Sequence, residues 1–282
     1  MSAGGDVAAD WIAVDWGSSR LRAWAMDASG AVRAEAGSDA GAGRLAPEGF
    51  EPALLDLIGP WLGTGACQVI VCGMAGARQG WAEAPYAPVP CPPIGAAVAP
   101  PTRDPRLDVR LLSGVSQTNP PDVIRGEETQ IAGLLAADPG FDGVVCLPGT
   151  HSKWVHVAAG EGGGEIFHFA SFMTGELFDL LSRRSVLRHT VAEAGHDAPA
   201  FAEALDEAMS RPERAFARLF SLRAEALVGE ADPAAARARL SGLLIGAELA
   251  AAKPYWLGRR VALIGVDGLA ELYAAALAPT GR

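Results

Sequence analysis

Residues Ile12–Trp24, IAVDWGSSRLRAW, decide how the rest of the chain is read. An apolar run rich in β-branched and aromatic residues meets Asp15, Gly17, Ser18 and Ser19, then resumes as a second apolar run carrying Arg20 and Arg22. Two strands joined by a tight turn are predicted. Glycine gives such a turn its backbone freedom and serine can satisfy its amides, so Gly17-Ser18-Ser19 alone reads first as a plain hairpin. The competing reading is an anion nest, with freed amides and hydroxyls holding a phosphate. Asp15, ending the first strand, would then hold Mg²⁺ or its water shell.

An echo in the second half shifts that balance. Gly149-Thr150-His151-Ser152-Lys153 again puts a glycine, hydroxyls and a basic residue between two apolar runs, GVVCL and WVHVA. A repeated strand-turn-strand unit predicts two related lobes, each with a phosphate turn. Lys153 reads either as a point charge for a phosphoryl oxygen or as a solvated surface lysine.

Around these units the pattern alternates strands and helices. EGFEPALLDLIGPWLG has helical apolar spacing through Phe50, Leu54, Leu57, Ile58 and Trp61, and CQVIVCGMAG is a buried strand leaving through glycines. The order predicts an α/β fold with a mixed sheet and ligands at the carboxyl ends of strands. Proline crowds Tyr86 to Arg106, which excludes helix and central strand and reads as an ordered loop or a crossing between two lobes. The expected lobes are 1–110 and 111–282, the latter mostly helical after three strands.

With 282 residues, half of them apolar, the chain can bury a substantial core. A formal net charge of −10 argues against nucleic acid as partner. Four cysteines, Cys67, Cys72, Cys91 and Cys146, show no metal-ligand or disulfide spacing and read as reduced thiols. The N-terminus has no secretory pattern, and Glu248, Lys253, Asp267 and Glu271 interrupt the later apolar stretches, so a soluble cytoplasmic protein without a membrane partner is expected.

Glu127 and Glu128 open a predicted helix, where acids favour the helix dipole without any chemistry. A phosphoryl transfer to an alcohol, however, needs a carboxylate near the attacking hydroxyl. GEETQIAGLL followed by GVVCLPGTHS resembles the sugar kinases of the actin-like ATPase superfamily. More narrowly, DWGSSRLRAW, GMAGARQGW, APYAPVPCP, RGEETQIAG, PGTHSKWV, FMTGELFDLL and LSGLLIGAE, in that order, resemble the 2-keto-3-deoxygalactonate kinase family, from about Ile12 to Leu277.

This resemblance implies two ribonuclease-H-like lobes with a central cleft for MgATP and a six-carbon 2-keto-3-deoxy sugar acid. It places the catalytic base on Glu127, with Glu128 as the alternative, and gives Lys153 a share in transfer. Nucleotide contacts fall on Gly17, Ser18, Ser19, Arg22, Gly149, Thr150, His151, Ser152, Gly246 and Gly265, and the Mg²⁺-side carboxylate is Asp15. For the sugar acid, whose carboxylate needs a cation and whose hydroxyls need fixed partners, the candidates are Gly76, Arg78, Trp81, Tyr86, Arg125, Thr174 and Glu176. Trp81 and Tyr86 read equally as core. The implied product is the 6-phosphate, in galactonate breakdown, and a homodimer is compatible. Two rival readings remain: a kinase for another keto acid or polyol, and a nucleotide-binding sensor, since family members continue past the helix LAELYAAAL and this chain stops at Arg282.

Overall fold

In the computed structural model, residues 8–160, 162–266 and 268–278 are described. They divide into two compact units, one running to Phe141 and including Ala159–Phe167, the other comprising Asp142–Ala158 and the chain from His168.

In the first unit, β1 (Trp11–Trp16) and β2 (Leu21–Met26) pair antiparallel, and β3 (Val32–Ser38) follows on β2. The sequence alternation explains the placement of β1, since Ile12, Val14 and Trp16 are buried while Trp11, Ala13 and Asp15 face the other way. Helix α1 (Phe50–Ile58) buries Phe50, Leu54 and Ile58, one turn apart, and delivers the chain to β4 (Cys67–Gly73), which pairs parallel with β1. The proline-rich segment contributes two short strands, β5 (Tyr86–Pro88) and β6 (Ala97–Val98). It lies wholly in the first unit and so is not a crossing between lobes. β7 (Leu107–Leu112) runs parallel to β4 and completes a sheet of order β3-β2-β1-β4-β7-β6. β8 (Gly114–Thr118) and β9 (Pro121–Ile124) join β5 in a second, three-stranded sheet, and α2 (Glu127–Ala137) follows. The expected boundary at 110/111 therefore cuts through β7, a strand bonded to β4.

The second unit repeats the first sheet's plan. β10 (Gly143–Leu147) pairs antiparallel with β11 (Ser152–Ala158), and β12 (Glu165–Phe172) lies beyond β11. Five helices follow: α3 (Thr174–Arg183), α4 (Ala198–Ser210), α5 (Ala215–Val228), α6 (Pro233–Ala251) and α7 (Lys253–Trp256). β13 (Val261–Leu263) then returns parallel to β10, and α8 (Leu269–Leu277) closes the unit. In both sheets the first strand has an antiparallel neighbour on one side and, on the other, a parallel strand that returns after a helical excursion. This is the ribonuclease-H-like arrangement, present twice.

Aspartates cap the starts of α4 and α6. Asp197 accepts from the Ala200 amide at the head of α4, and Asp232 accepts from Ala234 and Ala235 before a proline at the first position of α6. Separate apolar clusters build the cores, one around each unit's main sheet and another, with Leu187, Leu222 and Leu240, among the second unit's helices. Trp16, Phe50, Val69, Val71 and Leu111 belong to the first, and Val144, Trp154, Phe201, Leu249 and Tyr273 to the second. Each such side chain, fully buried, contributes about 1.5–3 kcal/mol of transfer free energy. Among the described residues no helix is long and apolar enough to cross a membrane, and all four cysteines are free thiols.

Candidate active site

The turn after β1 stands where the sequence places it. Gly17 donates its N–H to the Arg20 carbonyl, closing the hairpin, while Ser18, Ser19 and Arg20 are exposed. A neighbouring loop holds the turn from below through Ala42 N–H to Gly17 O (2.9 Å) and Gly43 N–H to Ser18 O (3.0 Å). Asp15 faces away from the core and forms an ion pair with Arg22 across the β1–β2 ladder. Arg22 also lies over the Trp24 ring, 5.7 Å from its centroid, so its nearest anionic partner is Asp15.

The start of α2 is brought to the same strand ends. Gly73, in β4, lies opposite Trp16, and its φ of 90° is one only glycine adopts without strain. A Cβ on Gly73 would sit 2.6 Å from the Trp16 carbonyl, and one on Gly126, whose φ is 107°, would sit 3.5 Å from Gly73 Cα. The chain thus turns into α2 beside the carboxyl ends of β1 and β4. Both acids fold back on the helix start: Glu127 accepts the Arg125 N–H (2.9 Å) and Glu128 the Gly126 N–H (2.6 Å). Glu127 is half-buried, whereas Glu128 is fully buried with one oxygen, Oε1, left without a hydrogen-bond partner. Burial, helped by the Glu127 charge, raises the Glu128 carboxyl to about 7. Cys72, flanked by Asp15 and Glu128, is pushed up to about 12, first by burial and then by those two charges. Asp15, Cys72 and the α2 acids therefore share one neighbourhood, at the strand ends where α/β proteins bind ligands.

Three of the sugar-acid candidates also meet in the first unit. The Arg125 guanidinium stacks on Tyr86, 4.2 Å from the ring centroid, and donates to Ala84 O (2.7 Å) and Leu112 O (3.4 Å). Gly76 leaves the space, since a Cβ there would lie 2.8 Å from Arg125 Nη1. Arg78 extends into solvent, 3.5 Å from Glu83. Trp81 belongs to the core instead: it is 6% exposed, packs with Trp16 and Phe50, and donates its indole N–H to Pro101 O.

In the second unit the turn Gly149–His151 is backed by α3. A Cβ on Gly175 would overlap the Gly149 carbonyl, Glu176 N–H donates to Thr150 O (2.9 Å), and His151 Nε2 lies 2.6 Å from Glu176 Oε2. Glu176, with Gly175 before it, therefore packs on this turn within the second unit. Gly265 lies beside it, with a Cβ position 3.5 Å from Pro148 Cδ.

Three expectations here need correction. Ser152 is fully buried and spends its hydroxyl on Glu248 (2.7 Å), so it faces inward and not toward a phosphate. Lys153 is 5% exposed and donates to the His151 carbonyl (2.8 Å), bracing the turn from within. Gly246 is a helix-packing glycine, where a Cβ would stand 2.7 Å from Leu205 O of α4. Glu248, which joins Ser152, Trp154 and Tyr273, was visible in the sequence only as a charge inside an apolar helix. That anomaly is itself a signal, because a buried carboxylate must have partners.

The model of the 2-keto-3-deoxy-galactonokinase family matches residues 15–282. The chain belongs to this family. A probable 2-dehydro-3-deoxygalactonokinase of Rhizobium meliloti (strain 1021) is 42% identical over 280 residues, covering 96% of this chain and 90% of that protein. The 2-dehydro-3-deoxygalactonokinase of Escherichia coli (strain K12) is 32% identical over 249 residues, covering 88% and 82%. A Sinorhizobium meliloti crystal structure, provisionally named as the same kinase, superimposes with a TM-score of 0.85 at 43% identity, covering 94% of this chain and 89% of that one. The doubled ribonuclease-H-like sheet of this galactonokinase-family chain is the actin-like ATPase fold.

Proposed function

We infer that the chain transfers the γ-phosphoryl group of ATP to the terminal hydroxyl of 2-dehydro-3-deoxygalactonate, giving the 6-phosphate in cytoplasmic galactonate breakdown. The observation that carries this reading is the placement of Glu127 and Glu128 at a helix start beside Asp15 and the exposed turn Gly17–Ser19, within a chain of the galactonokinase family. Membership of that family favours a kinase over a nucleotide sensor.

Glu127 is the proposed general base. It accepts the proton of the terminal hydroxyl as that oxygen bonds to the γ-phosphorus and the bond to the bridging oxygen of ADP breaks. Glu128 is the weaker candidate, since it is fully buried whereas Glu127 is partly exposed. Ser18, Ser19 and the amides of their turn suit phosphate oxygens, as do Thr150 and His151 in the second unit. Arg125, held flat by Tyr86, presents a planar cation of the kind that pairs with a sugar-acid carboxylate.

Asp15 fits Mg²⁺. It is a partly exposed carboxylate paired with Arg22, and a single carboxylate completed by phosphates and water is how this ion is commonly bound. Bound there, Mg²⁺ would neutralise charge on the phosphates, and Arg22, freed from Asp15, would have an anion of its own to meet.

A coupled assay of ADP release across keto-deoxy acids, aldonates and pentuloses tests the substrate. Turnover is expected to be fastest with 2-dehydro-3-deoxygalactonate, and turnover indifferent to the acid group contradicts the reading.

A further inference from the structure

Among the described residues, the one carboxylate buried in the second core has no part in the chemistry above. Glu248, on α6, is 3% exposed and accepts three side-chain hydrogen bonds: Ser152 Oγ–H to Oε2 at 2.7 Å, Tyr273 Oη–H to Oε2 at 2.7 Å, and Trp154 Nε1–H to Oε1 at 2.8 Å. All three donors are themselves buried. Burial, and then the Glu248 charge, raise the Tyr273 hydroxyl, which keeps it a donor. Burying a carboxylate against neutral donors is costly, and apolar packing would stabilise the same core at least as well.

What a carboxylate adds is direction. It only accepts, so every donor around it must point inward. Ser152 and Trp154 are the first and third residues of β11, directly after the turn Gly149–His151. Tyr273 is on α8, which follows the segment where Ile264 N–H bonds Cys146 O and Gly265 lies beside Pro148. One side chain on α6 thereby fixes both the strand that leaves the second turn and the helix that follows Gly265.

We propose that Glu248 is a positioning residue for nucleotide binding, setting the second turn and the Gly265 segment through Ser152, Trp154 and Tyr273. This rests on the reading that Thr150 and His151 meet the nucleotide phosphates. The neutral isostere cannot reproduce the arrangement. In Glu248→Gln the amide oxygen must face the Trp154 indole, which only donates, so the amide N–H groups face Ser152 and Tyr273. Both hydroxyls would then have to turn round, and Ser152 would have to donate instead to the Phe172 carbonyl, 3.4 Å away, or to the neighbouring Tyr273 hydroxyl.

The test is ADP affinity by calorimetry, with KM for ATP and for the sugar acid, on the full chain carrying Glu248→Gln, Tyr273→Phe or Ser152→Ala. Thr150→Ala serves as the control for the turn, and thermal unfolding is followed for each variant. Glu248→Gln should weaken ADP binding and raise KM for ATP by about tenfold or more, because small misplacements of a binding group are amplified. KM for the sugar acid should stay within about twofold. Tyr273→Phe and Ser152→Ala should weaken ADP binding by smaller factors, and they carry the test if Glu248→Gln does not fold. Network variants that lower the melting temperature but leave ADP affinity unchanged, while Thr150→Ala weakens it, overturn the positioning role alone. Unchanged affinity in Thr150→Ala as well overturns the turn assignment beneath it.

Discussion

The two strand-turn-strand units are alike in sequence and unlike in support. The first turn, Gly17–Arg20, is open: Ser18 and Ser19 are exposed, and main-chain bonds from Ala42 and Gly43 hold it. The second is braced on every side, by Gly175 and Glu176 of α3, by Lys153 folding onto the His151 carbonyl, and by the buried Glu248 behind Ser152. The acids follow the open turn's sheet, since Glu127 and Glu128 lie at the strand ends beside Asp15. A duplicated unit has diverged into one that presents chemical groups and one whose geometry is built into a core.

If that division holds, loss of the first unit's proposed base should act on turnover, and variants that disturb the second turn should act on nucleotide affinity. Glu127→Gln is expected to lower kcat by roughly two to four orders of magnitude with ADP affinity nearly unchanged. Full turnover in that variant would move the base elsewhere.

Glu128 should report through stability. Its folded value, about 7 against an ordinary 4.5, is raised, so its favourable contribution is complete below the unfolded value and is lost as pH rises through about 7. The stability difference between the natural chain and Glu128→Gln should therefore shift by about 3 kcal/mol, as an order of magnitude, between about pH 5 and pH 8, in favour of the variant at the higher pH. A difference flat with pH in denaturant titrations would show that the burial is not felt.

The second turn's packing offers the next effect. Gly175→Ala puts a methyl group onto the Gly149 carbonyl and should cost about 1–3 kcal/mol, with KM for ATP raised. Unaltered melting and KM would mean the turn has room to move. Smallest is Ser19→Ala, an exposed hydroxyl, which should change stability by less than about 0.5 kcal/mol and show only in KM for ATP. A large loss of stability there would erase the contrast between the turns.

Much of this was legible because periodicity records burial. Ile12, Val14 and Trp16 alternate on β1, and Phe50, Leu54 and Ile58 recur along α1, so these elements could be read from residue type alone. The short β5 and β6 were not, since prolines hide strands that pair only at an edge. Glycines were the least readable residues. Gly76 and Gly246 look alike in sequence, yet one makes room for Arg125 and the other for Leu205 of a packed helix. Ser152 and Lys153 were placed in the site by the resemblance, and Trp81 read equally as site or core; burial, which only the fold reveals, turns all three inward.

The most direct measurement is phosphorus NMR of the product formed from ATP and 2-dehydro-3-deoxygalactonate. A single phosphomonoester coupled to the protons of the terminal carbon is expected. A phosphate on any other oxygen, or ADP released without a phosphorylated sugar acid, would contradict transfer to the terminal hydroxyl by Glu127.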